Sequence, residues 1–480
     1  MRFGSTTVFD GFAHGRSALA CVLTSMLFGV LACGPGNELD PAADVTDVEA
    51  DAGVDVSDAL DAGTDTDLLD ATEDADIGMD TQPPTHPAVY TDDRTQSPLT
   101  PHVAQRLRDI AGVGARQDRV FAKIGDSHTV SQNFMHCFGG ESVELDGRTE
   151  LEATIDYFGQ GDAAGTSPYE RESTDAVVGW SAVGMIDGSP SRFQQELDAL
   201  DPRIGLVQFG TNDIGLRDIY GYHDAMAYMA DTMIARGTIP VFTSIPPRDD
   251  DAEADRWVPR YNAVMRGIAQ SRQFPFVDLH RELVDLPGHG LAGDGVHLNV
   301  YRPSGAAPCD FTSDGLEYGN NVRNLLTMQA LDRVRRTALA DQAAPDEPGP
   351  QRTGSGTTDD PIRIDGFPFT DVRDTSTGGQ SEFDFYDGCA PNTDESGPEF
   401  VYRVELSRRA NLRAFVFDEG EVDIDLHVLE SEPTTGACID RDHRSVSGSY
   451  SPGVYYFTLD SFVSDGDIKD GRFLFVLLRE

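Results

Sequence analysis

The sequence predicts an α/β domain built on a parallel sheet, followed by a small all-β domain. Between residues 119 and 340, short apolar runs alternate with longer segments of helical periodicity, which is typical of a parallel sheet with helices on both faces. After residue 339 the pattern changes to short strand-like runs separated by turn residues, as in an antiparallel sandwich. A length of 480 residues exceeds one ordinary domain and agrees with two folded units.

Each predicted strand of the first domain is an apolar run that ends at a break in the pattern. The four strands are residues 120–124, 204–209, 239–244 and 274–279. The helical periodicity predicts helices over residues 222–236, with Gly237 as the stop, 252–270 and 316–339. Ligand sites in such sheets lie beyond the carboxyl ends of the strands, so the residues after each strand are the candidates for function.

The second domain follows a segment rich in proline and glycine. We therefore predict an α/β domain over residues 96–341, a linker over 342–358 and a β-sandwich over 359–480. The clearest strands of the sandwich are residues 400–406, 412–417, 424–429 and 454–459.

The N-terminal segment predicts export. Two arginines precede an apolar segment over residues 18–32 that ends in small residues, and residues 1–32 are predicted to be a signal peptide. The sequence Val30-Leu-Ala-Cys33 resembles a bacterial lipobox, in which the cysteine carries lipid and becomes the mature N-terminus. We expect a lipid anchor on Cys33 at a bacterial outer membrane or cell surface. Ordinary secretion with cleavage near Ala32, or a short uncleaved anchor, is the alternative.

The charge of the chain excludes several partners. A net charge of −45 argues against nucleic acid and against anionic lipid as an electrostatic partner. Sixteen acidic residues and no Lys or Arg lie between residues 38 and 80, so residues 33–95 are predicted to form a disordered stalk. Contact with a membrane is then expected through the N-terminal lipid only.

The chain has six cysteines. Cys21 belongs to the predicted signal peptide and Cys33 would carry the lipid, so four cysteines remain after the predicted stalk. In an exported protein an even number favours disulfides, and we predict Cys137 with Cys309 and Cys389 with Cys438, each pair within one predicted domain. The cysteine and histidine spacing does not resemble zinc ligation, so no metal is predicted.

The first domain contains three polar motifs, two at the ends of apolar runs and one later in the chain. Gly125-Asp-Ser127 places a serine at a strand-to-helix turn, where its hydroxyl is exposed and the next backbone N–H groups can stabilise negative charge. Alone, this motif also forms ordinary turns and helix caps. The motif Gly210-Thr-Asn-Asp213 closes the second run, and Asp294-Gly-Val-His297 comes later in the same domain.

In this order the three motifs resemble the SGNH (GDSL-type) hydrolases, a superfamily of esterases, lipases and acetyl-ester hydrolases. The resemblance covers residues 119–340 and implies a three-layer α/β/α, flavodoxin-like domain. The order Ser, Asp, His also occurs in α/β-hydrolases. However, no Gly-x-Ser-x-Gly surrounds Ser127, and Asp294 and His297 are too close in sequence for that fold.

These residues suit nucleophilic catalysis. A serine hydroxyl needs an adjacent base, and the base needs a group that fixes its tautomer. Ser127, His297 and Asp294 fit these roles, and the reaction requires neither a metal nor an organic cofactor.

The resemblance further implies an oxyanion hole with three donors. They are the N–H of Ser127, a backbone N–H from a second motif, and the side-chain amide of Asn212. The second motif departs from the family pattern because no asparagine precedes its glycine. We assign the donor to Gly179, with Ala182 as the alternative register.

The second domain resembles bacterial pre-peptidase C-terminal β-sandwiches, notably in Asp423-Ile-Asp425-Leu and Gly453-Val-Tyr-Tyr. Asp423 and Asp425 are candidate calcium ligands, although carboxylates on surface strands are usually just solvated.

Taken together, the sequence predicts an exported serine esterase. The expected substrates are small or carbohydrate-linked acyl esters, including acylated glycan or lipid. Two alternatives stay open: an O-acyltransferase with the same triad, and a catalytically silent surface binding protein. The sequence leaves the oligomeric state open.

Overall fold

The computed structural model describes residues 86–140 and 143–480. One compact unit, Met79–Glu480, contains all of these residues. The predicted signal peptide, the lipidation site at Cys33 and most of the predicted stalk lie outside the described residues. Within the described ranges, no helix has the length and apolar character needed to cross a membrane.

The first part of the chain is an α/β domain with a four-stranded parallel sheet, as predicted. Its strands lie in the order β1-β2-β3-β4 and are β1 Gln117–Gly125, β2 Pro202–Gln208, β3 Ile239–Thr243 and β4 Phe276–Val277. The α-helices are α1 Pro101–Ala111, α2 Ser127–Val130, α3 Glu152–Gly159, α4 Ala182–Ile186, α5 Arg192–Leu200, α6 Asp213–Leu216, α7 Ile219–Arg236, α8 Ala252–Asp255, α9 Val258–Arg272, α10 Leu279–Leu283 and α11 Gly319–Val334. Short 3₁₀ helices span His136–Gly139, Thr149–Leu151, Pro287–Gly290, Gly315–Glu317 and Thr435–Ala437.

Two of the predicted helices differ in detail from the structure. The helix predicted over residues 252–270 is two helices, α8 and α9, because Pro259 in the first turn of α9 favours a new helix start. The helix predicted over residues 316–339 begins at Gly319, and its last turn is π-helical over Arg335–Leu339. Helix α7 ends at Gly237 in the left-handed conformation (φ 83°), as predicted.

The second part is a β-sandwich of a five-stranded and a four-stranded sheet. The sheet orders are β10-β9-β12-β7-β5 and β11-β8-β15-β6, and a separate hairpin pairs β13 with β14. Every pairing is antiparallel except β5 with β7, which is parallel. The strands are β5 Ile362–Ile364, β6 Phe369–Asp374, β7 Glu399–Leu406, β8 Ala410–Asp418, β9 Ile424–Glu430, β10 Cys438–Asp442, β11 Ser445–Tyr450, β12 Gly453–Ser461, β13 Val463–Ser464, β14 Asp467–Ile468 and β15 Arg472–Arg479.

The predicted stalk, residues 33–95, extends too far toward the C-terminus. Ala88 and Tyr90 are buried, and their backbone N–H groups donate to the side-chain amides of Gln273 and Gln270, each at 2.7 Å. The Tyr90 hydroxyl donates to the carbonyl of Phe274. Residues 86–95 are therefore packed on the α/β domain, because an apolar ring and paired backbone groups replace the acidic pattern found upstream.

One face of the sandwich joins the hydrophobic core of the α/β domain, while the sandwich also has a separate core of its own. The four-stranded sheet of the sandwich, β11-β8-β15-β6, packs one face against α7 and α9. This face contributes Phe415, Phe417, Leu474, Val476 and Leu478 to the core of the α/β domain. The imidazole of His223 stacks on the Phe417 ring at 4.7 Å, and Gly267 of α9 leaves room for Leu474. The predicted linker, residues 342–358, contains no helix or strand, and Asp346 anchors it by pairing with Arg94 and Arg333.

Both predicted disulfides are confirmed. Cys137 is bonded to Cys309, and Cys389 is bonded to Cys438. The first bond ties the segment after α2 to the loop that precedes α11, so it braces the face of the domain that carries Ser127.

Truncation of Leu474 tests the shared core. Leu474 is 2% exposed, so Leu474→Ala should lower the free energy of unfolding by about 2–5 kcal/mol, through lost burial and a residual cavity. Urea unfolding followed by far-UV circular dichroism measures the change.

Ile468→Ala is the matched control, because Ile468 is 47% exposed in the same domain. This control should change the stability by no more than about 0.5 kcal/mol. Equal effects of the two substitutions would contradict the shared core.

Candidate active site

The parallel sheet brings the predicted motifs to one edge. Ser127 follows β1 as the first residue of α2, and Asn212 follows β2. Asp126 caps α2, because its Oδ1 accepts the N–H of His128 at 3.0 Å. Asp294 and His297 reach the same edge from the loop between α10 and α11.

Ser127, His297 and Asp294 form a continuous hydrogen-bonded chain. The Ser127 Oγ lies 2.9 Å from the Nε2 of His297, and the Nδ1 of His297 lies 2.8 Å from Asp294 Oδ2. The side chains of His297 and Asp294 are 46% and 51% exposed, so substrate can reach the chain from solvent. This is the order of groups that converts a serine hydroxyl into a nucleophile.

The loop geometry explains the Asp-x-x-His spacing. Asp294 Oδ1 accepts the backbone N–H groups of Val296 and His297, both at 3.0 Å, which leaves Oδ2 for the imidazole. Gly295 adopts φ 69°, and a Cβ there would come within 2.7 Å of the Asp250 backbone nitrogen, so glycine is required at this turn. Desolvation acts to raise the pKa of Asp294, but the hydrogen bonds from His297 and Val296 outweigh it and hold the pKa at about 2. The carboxylate thus stays ionised near neutral pH.

The predicted oxyanion donors lie on segments next to the Ser127 turn, because Asn212 contacts Asp126 and the N–H of Val177, two residues before Gly179, donates to the Gly125 carbonyl at 3.1 Å. The amide of Asn212 donates to the carbonyl of Trp180 at 3.0 Å and makes only a long contact of 3.4 Å with Asp126 Oδ2, so one of its hydrogens is weakly engaged. Among the described residues, the N–H groups of Ser127 and Gly179 have no hydrogen-bond acceptor. Gly179 lies in an exposed turn at φ 78°.

The alternative donor, Ala182, is engaged elsewhere. Its backbone N–H donates to Asp213 Oδ1 at 2.8 Å. Burial raises the pKa of Asp213 to about 7, although the hydrogen bond from Ala182 acts in the opposite direction. The geometry therefore favours Gly179 over Ala182 as a free donor.

Asp126 and Asp213 organise loops, because they accept the backbone N–H groups of His128 and Ala182, and in the described part of the chain neither is hydrogen-bonded to Ser127 Oγ. Both are buried. Burial raises the pKa of Asp126 to about 6, while the His128 N–H and the nearby Arg323 charge lower it. His128 is buried too, with its ring 5.3 Å from the His297 ring, so it packs behind the base.

Arg323 is a residue that the sequence did not point to. It is 2% exposed in α11, and its guanidinium donates to the His128 carbonyl at 2.6 Å and to Thr129 Oγ1 at 3.2 Å. The same group lies 3.6 Å from the centroid of the Phe134 ring, a cation–π contact. Arg323 thereby holds the turn that presents Ser127, although no local motif marks it in the sequence.

The fold and these contacts agree with one class of protein, the ester hydrolases built on a three-layer α/β/α domain. Residues 124–301 match the GDSL-like Lipase/Acylhydrolase family, so this part of the chain is a domain of that family. The match runs from the end of β1 to just beyond His297. The match confirms the resemblance to GDSL-type hydrolases and the predicted ester-hydrolase class.

Solved structures show similarity to both halves. A GDSL-like lipase from Bacteroides thetaiotaomicron has 15% identity, covering 48% of this chain and 97% of that chain, with a TM-score of 0.30. A catalytic mutant of an acetylxylan esterase from Geobacillus stearothermophilus has 14% identity, covering 33% and 70%, with a TM-score of 0.26. The pre-peptidase C-terminal domain of collagenase from Bacillus anthracis has 14% identity, covering 24% and 91%, with a TM-score of 0.17. No curated protein matches the chain.

Replacing Arg323 should lower the catalytic activity, although Arg323 is not a member of the Ser127–His297–Asp294 chain. Arg323→Met leaves the His128 carbonyl without its partner, and a displacement of Ser127 by about 1 Å would lower kcat/KM by up to about 100-fold. Hydrolysis of p-nitrophenyl acetate measures the loss.

Arg336→Met is the control, because the Arg336 side chain is 49% exposed and its partner, the buried Asp332, keeps a second ion pair with Arg335. It should retain full activity. A fully active Arg323→Met enzyme would contradict the positioning role.

Proposed function

We propose that the chain is an exported serine esterase that forms an acyl-enzyme on Ser127. The observation that carries the proposal is the 2.9 Å contact between Ser127 Oγ and His297 Nε2, which continues through the 2.8 Å contact between His297 Nδ1 and Asp294. An ionised Asp294 fixes the tautomer of His297 and stabilises the imidazolium that forms during the reaction.

In the proposed mechanism, the ester carbonyl binds beside Ser127. His297 takes the Ser127 proton as the oxygen attacks, and a tetrahedral oxyanion forms. His297 then passes this proton to the leaving alcohol, which leaves an acyl group on Ser127. A water molecule, deprotonated by His297, attacks the acyl-enzyme. The bond between the acyl group and the Ser127 oxygen then breaks, the oxygen takes the proton back from His297, and the acid is released.

The oxyanion is assigned to three donors: the Ser127 N–H, the Asn212 amide and the Gly179 N–H. The contact from Asn212 to the Trp180 carbonyl orients the amide before substrate arrives, which supports its role. Ala182 is set aside because its N–H is held by Asp213.

The solvent exposure of the active site supports substrates in which a small acyl group is esterified to a large alcohol. Since about half of the His297 and Asp294 side chains is open to solvent, a bulky alcohol such as a glycan can remain outside while its ester reaches Ser127. We therefore propose carbohydrate-linked acyl esters as the substrates.

Export is proposed from two features of the chain. The N-terminal segment ends at the lipobox-like Cys33, and lipid on this cysteine would tether the enzyme to a membrane surface. The two disulfides support an oxidising compartment, because cytosolic proteins rarely retain them.

An O-acyltransferase is the second candidate. The open face of His297 would let a sugar hydroxyl replace water as the acyl acceptor. Product analysis with and without an added glycan acceptor separates the two activities, because a transferase would form a new ester and a hydrolase would release the free acid.

Removal of the nucleophile tests the mechanism. Ser127→Ala should lower kcat for p-nitrophenyl acetate by at least about 10⁴-fold, because the acyl-enzyme can no longer form. Ser447→Ala, an exposed serine on the sandwich, should leave kcat unchanged. Residual activity of Ser127→Ala at the wild-type level would refute the assignment.

Removal of the side-chain oxyanion donor should act on the transition state. Asn212→Ala is expected to lower kcat by about 10²–10³-fold, the usual effect of losing one such donor, with a much smaller change in KM. A variant with unchanged kcat would exclude Asn212 from the oxyanion site, and circular dichroism would verify that the variant is folded.

The acyl preference follows from a series of p-nitrophenyl esters of increasing chain length. We expect the highest kcat/KM for acetate and a steady decline with length. A maximum at eight carbons or more would favour lipolysis over deacylation of carbohydrate.

A further inference from the structure

Three adjacent strands of the five-stranded sheet carry a row of buried carboxylates. Glu399 of β7 lies opposite Asp460 of β12, and Asp460 lies opposite Asp425 of β9. Glu395, from the segment before β7, is close enough to interact electrostatically with Asp460 and Asp425. All four side chains are 0% exposed. Like charges directly opposite in a sheet repel, and burial strengthens the repulsion, so this row requires compensation.

Two of the four carboxylates accept hydrogen bonds from neighbouring groups. Glu399 accepts the backbone N–H of Glu382, and Asp460 Oδ2 accepts the hydroxyl of Tyr386 at 2.8 Å, while Asp460 Oδ1 has no partner among the described residues. Arg441 donates a hydrogen bond to Asp425 Oδ2 but lies 3.7 Å from Glu395 Oε1, so its charge is close to both remaining groups while it is hydrogen-bonded only to Asp425.

Several polar atoms at Glu395 stay without a partner among the described residues. These atoms are both carboxylate oxygens of Glu395 and His427 Nε2, whereas Asp425 Oδ1 lies 2.6 Å from Nδ1 of the exposed His443. His427 is 0% exposed, and its Nε2 lies 3.4 Å from Glu395 Oε1. A buried imidazole nitrogen and a buried carboxylate thus face each other without a hydrogen bond, which is unusual for polar atoms in a folded protein.

The orientation of His427 is fixed from the other side. Its ring stacks on Tyr386 with centroids 3.7 Å apart and an interplanar angle of 12°. Its Nδ1 lies 3.8 Å from the Sγ of Cys389, so Nε2 is the nitrogen available toward Glu395. Asp425 and His427 are two residues apart in β9, so both side chains lie on the same face of the sheet.

We propose that Glu395, Asp425 and His427 bind one zinc ion within the β-sandwich. One ligand atom from each of the three residues lies within 4.8 Å of the others, a spacing that a single ion can bridge. Two carboxylate oxygens and an imidazole nitrogen form a donor set that suits zinc, whereas calcium takes oxygen ligands only.

The proposed site shares Asp425 with the calcium site considered for Asp423 and Asp425 in the sequence. The Asp425 side chain is buried beside Glu395 and His427, and its Oδ1 also lies 2.6 Å from Nδ1 of the exposed His443, whereas Asp423 is 39% exposed. The ion would join the segment before β7 to β9, and the Cys389–Cys438 disulfide joins the same segment to β10. We infer a structural role that is independent of the esterase site.

The test uses the untagged full chain after removal of metal with a chelator. Adding zinc chloride should raise the midpoint of thermal unfolding by roughly 5 °C at saturation, since the ion binds only the folded state. Calorimetric titration should show one zinc ion per chain, and Co²⁺ in place of zinc should give a visible absorption band. Calcium chloride should give no shift.

Two ligand variants and one control make the test specific. Glu395→Gln keeps the size of the side chain, and His427→Phe keeps the stacking on Tyr386, so both should fold and lose the zinc-dependent shift and the Co²⁺ band. Glu432→Gln, an exposed residue of the same domain, should behave like the wild type.

Three outcomes would overturn the proposal. The first is a wild-type chain with no zinc shift and no bound ion, in which case the carboxyl groups share a proton instead. The second is an equal zinc shift in the ligand variants, which would place the ion elsewhere. The third is stabilisation by calcium alone, which would exclude His427 as a ligand. If a variant does not fold, the stoichiometry and the Co²⁺ spectrum of the wild-type chain decide the question.

Discussion

The parallel register of β1 and β2 is the constraint on which the active site depends. Gly125 at the end of β1 lies opposite Gln208 at the end of β2, so the turns that follow both strands leave the sheet at the same level. The approach at Gly125 is close, because a Cβ there would meet Thr129 Oγ1 at 2.3 Å and the Gln208 carbonyl at 2.6 Å. Any larger residue would push the Ser127 turn away from the sheet and from Asn212.

Local patterns in the sequence were sufficient to predict the strands and the proximity of Ser127 and Asn212. Both residues follow an apolar run, and the topology of a parallel sheet then requires their loops to meet, whereas the position of His297 was implied by the family resemblance. Arg323 could not be found in this way. It reaches the Ser127 turn from a helix almost 200 positions later, and only the packing of α11 places it there.

The same distinction explains the differences found in the fold. The break between α8 and α9 was missed because the apolar periodicity continues across it, although Pro259 was a local signal for a new start. The packing of residues 86–95 depends on Gln270 and Gln273, which are distant in sequence, so composition alone extended the stalk too far. The linker contains no regular structure, yet Asp346 fixes it through arginines from two other segments.

The core shared by the two halves bears on how this architecture can be rearranged. A module joined only by a linker can be transferred between enzymes, since cutting the linker exposes no apolar surface. Here a cut at residues 342–358 would uncover Phe417, Leu474 and Val476 on one side and the apolar faces of α7 and α9 on the other. Such a fragment would present a wide hydrophobic patch and tend to aggregate. The sandwich and the hydrolase domain should therefore be expressed and engineered together, since each covers apolar surface of the other.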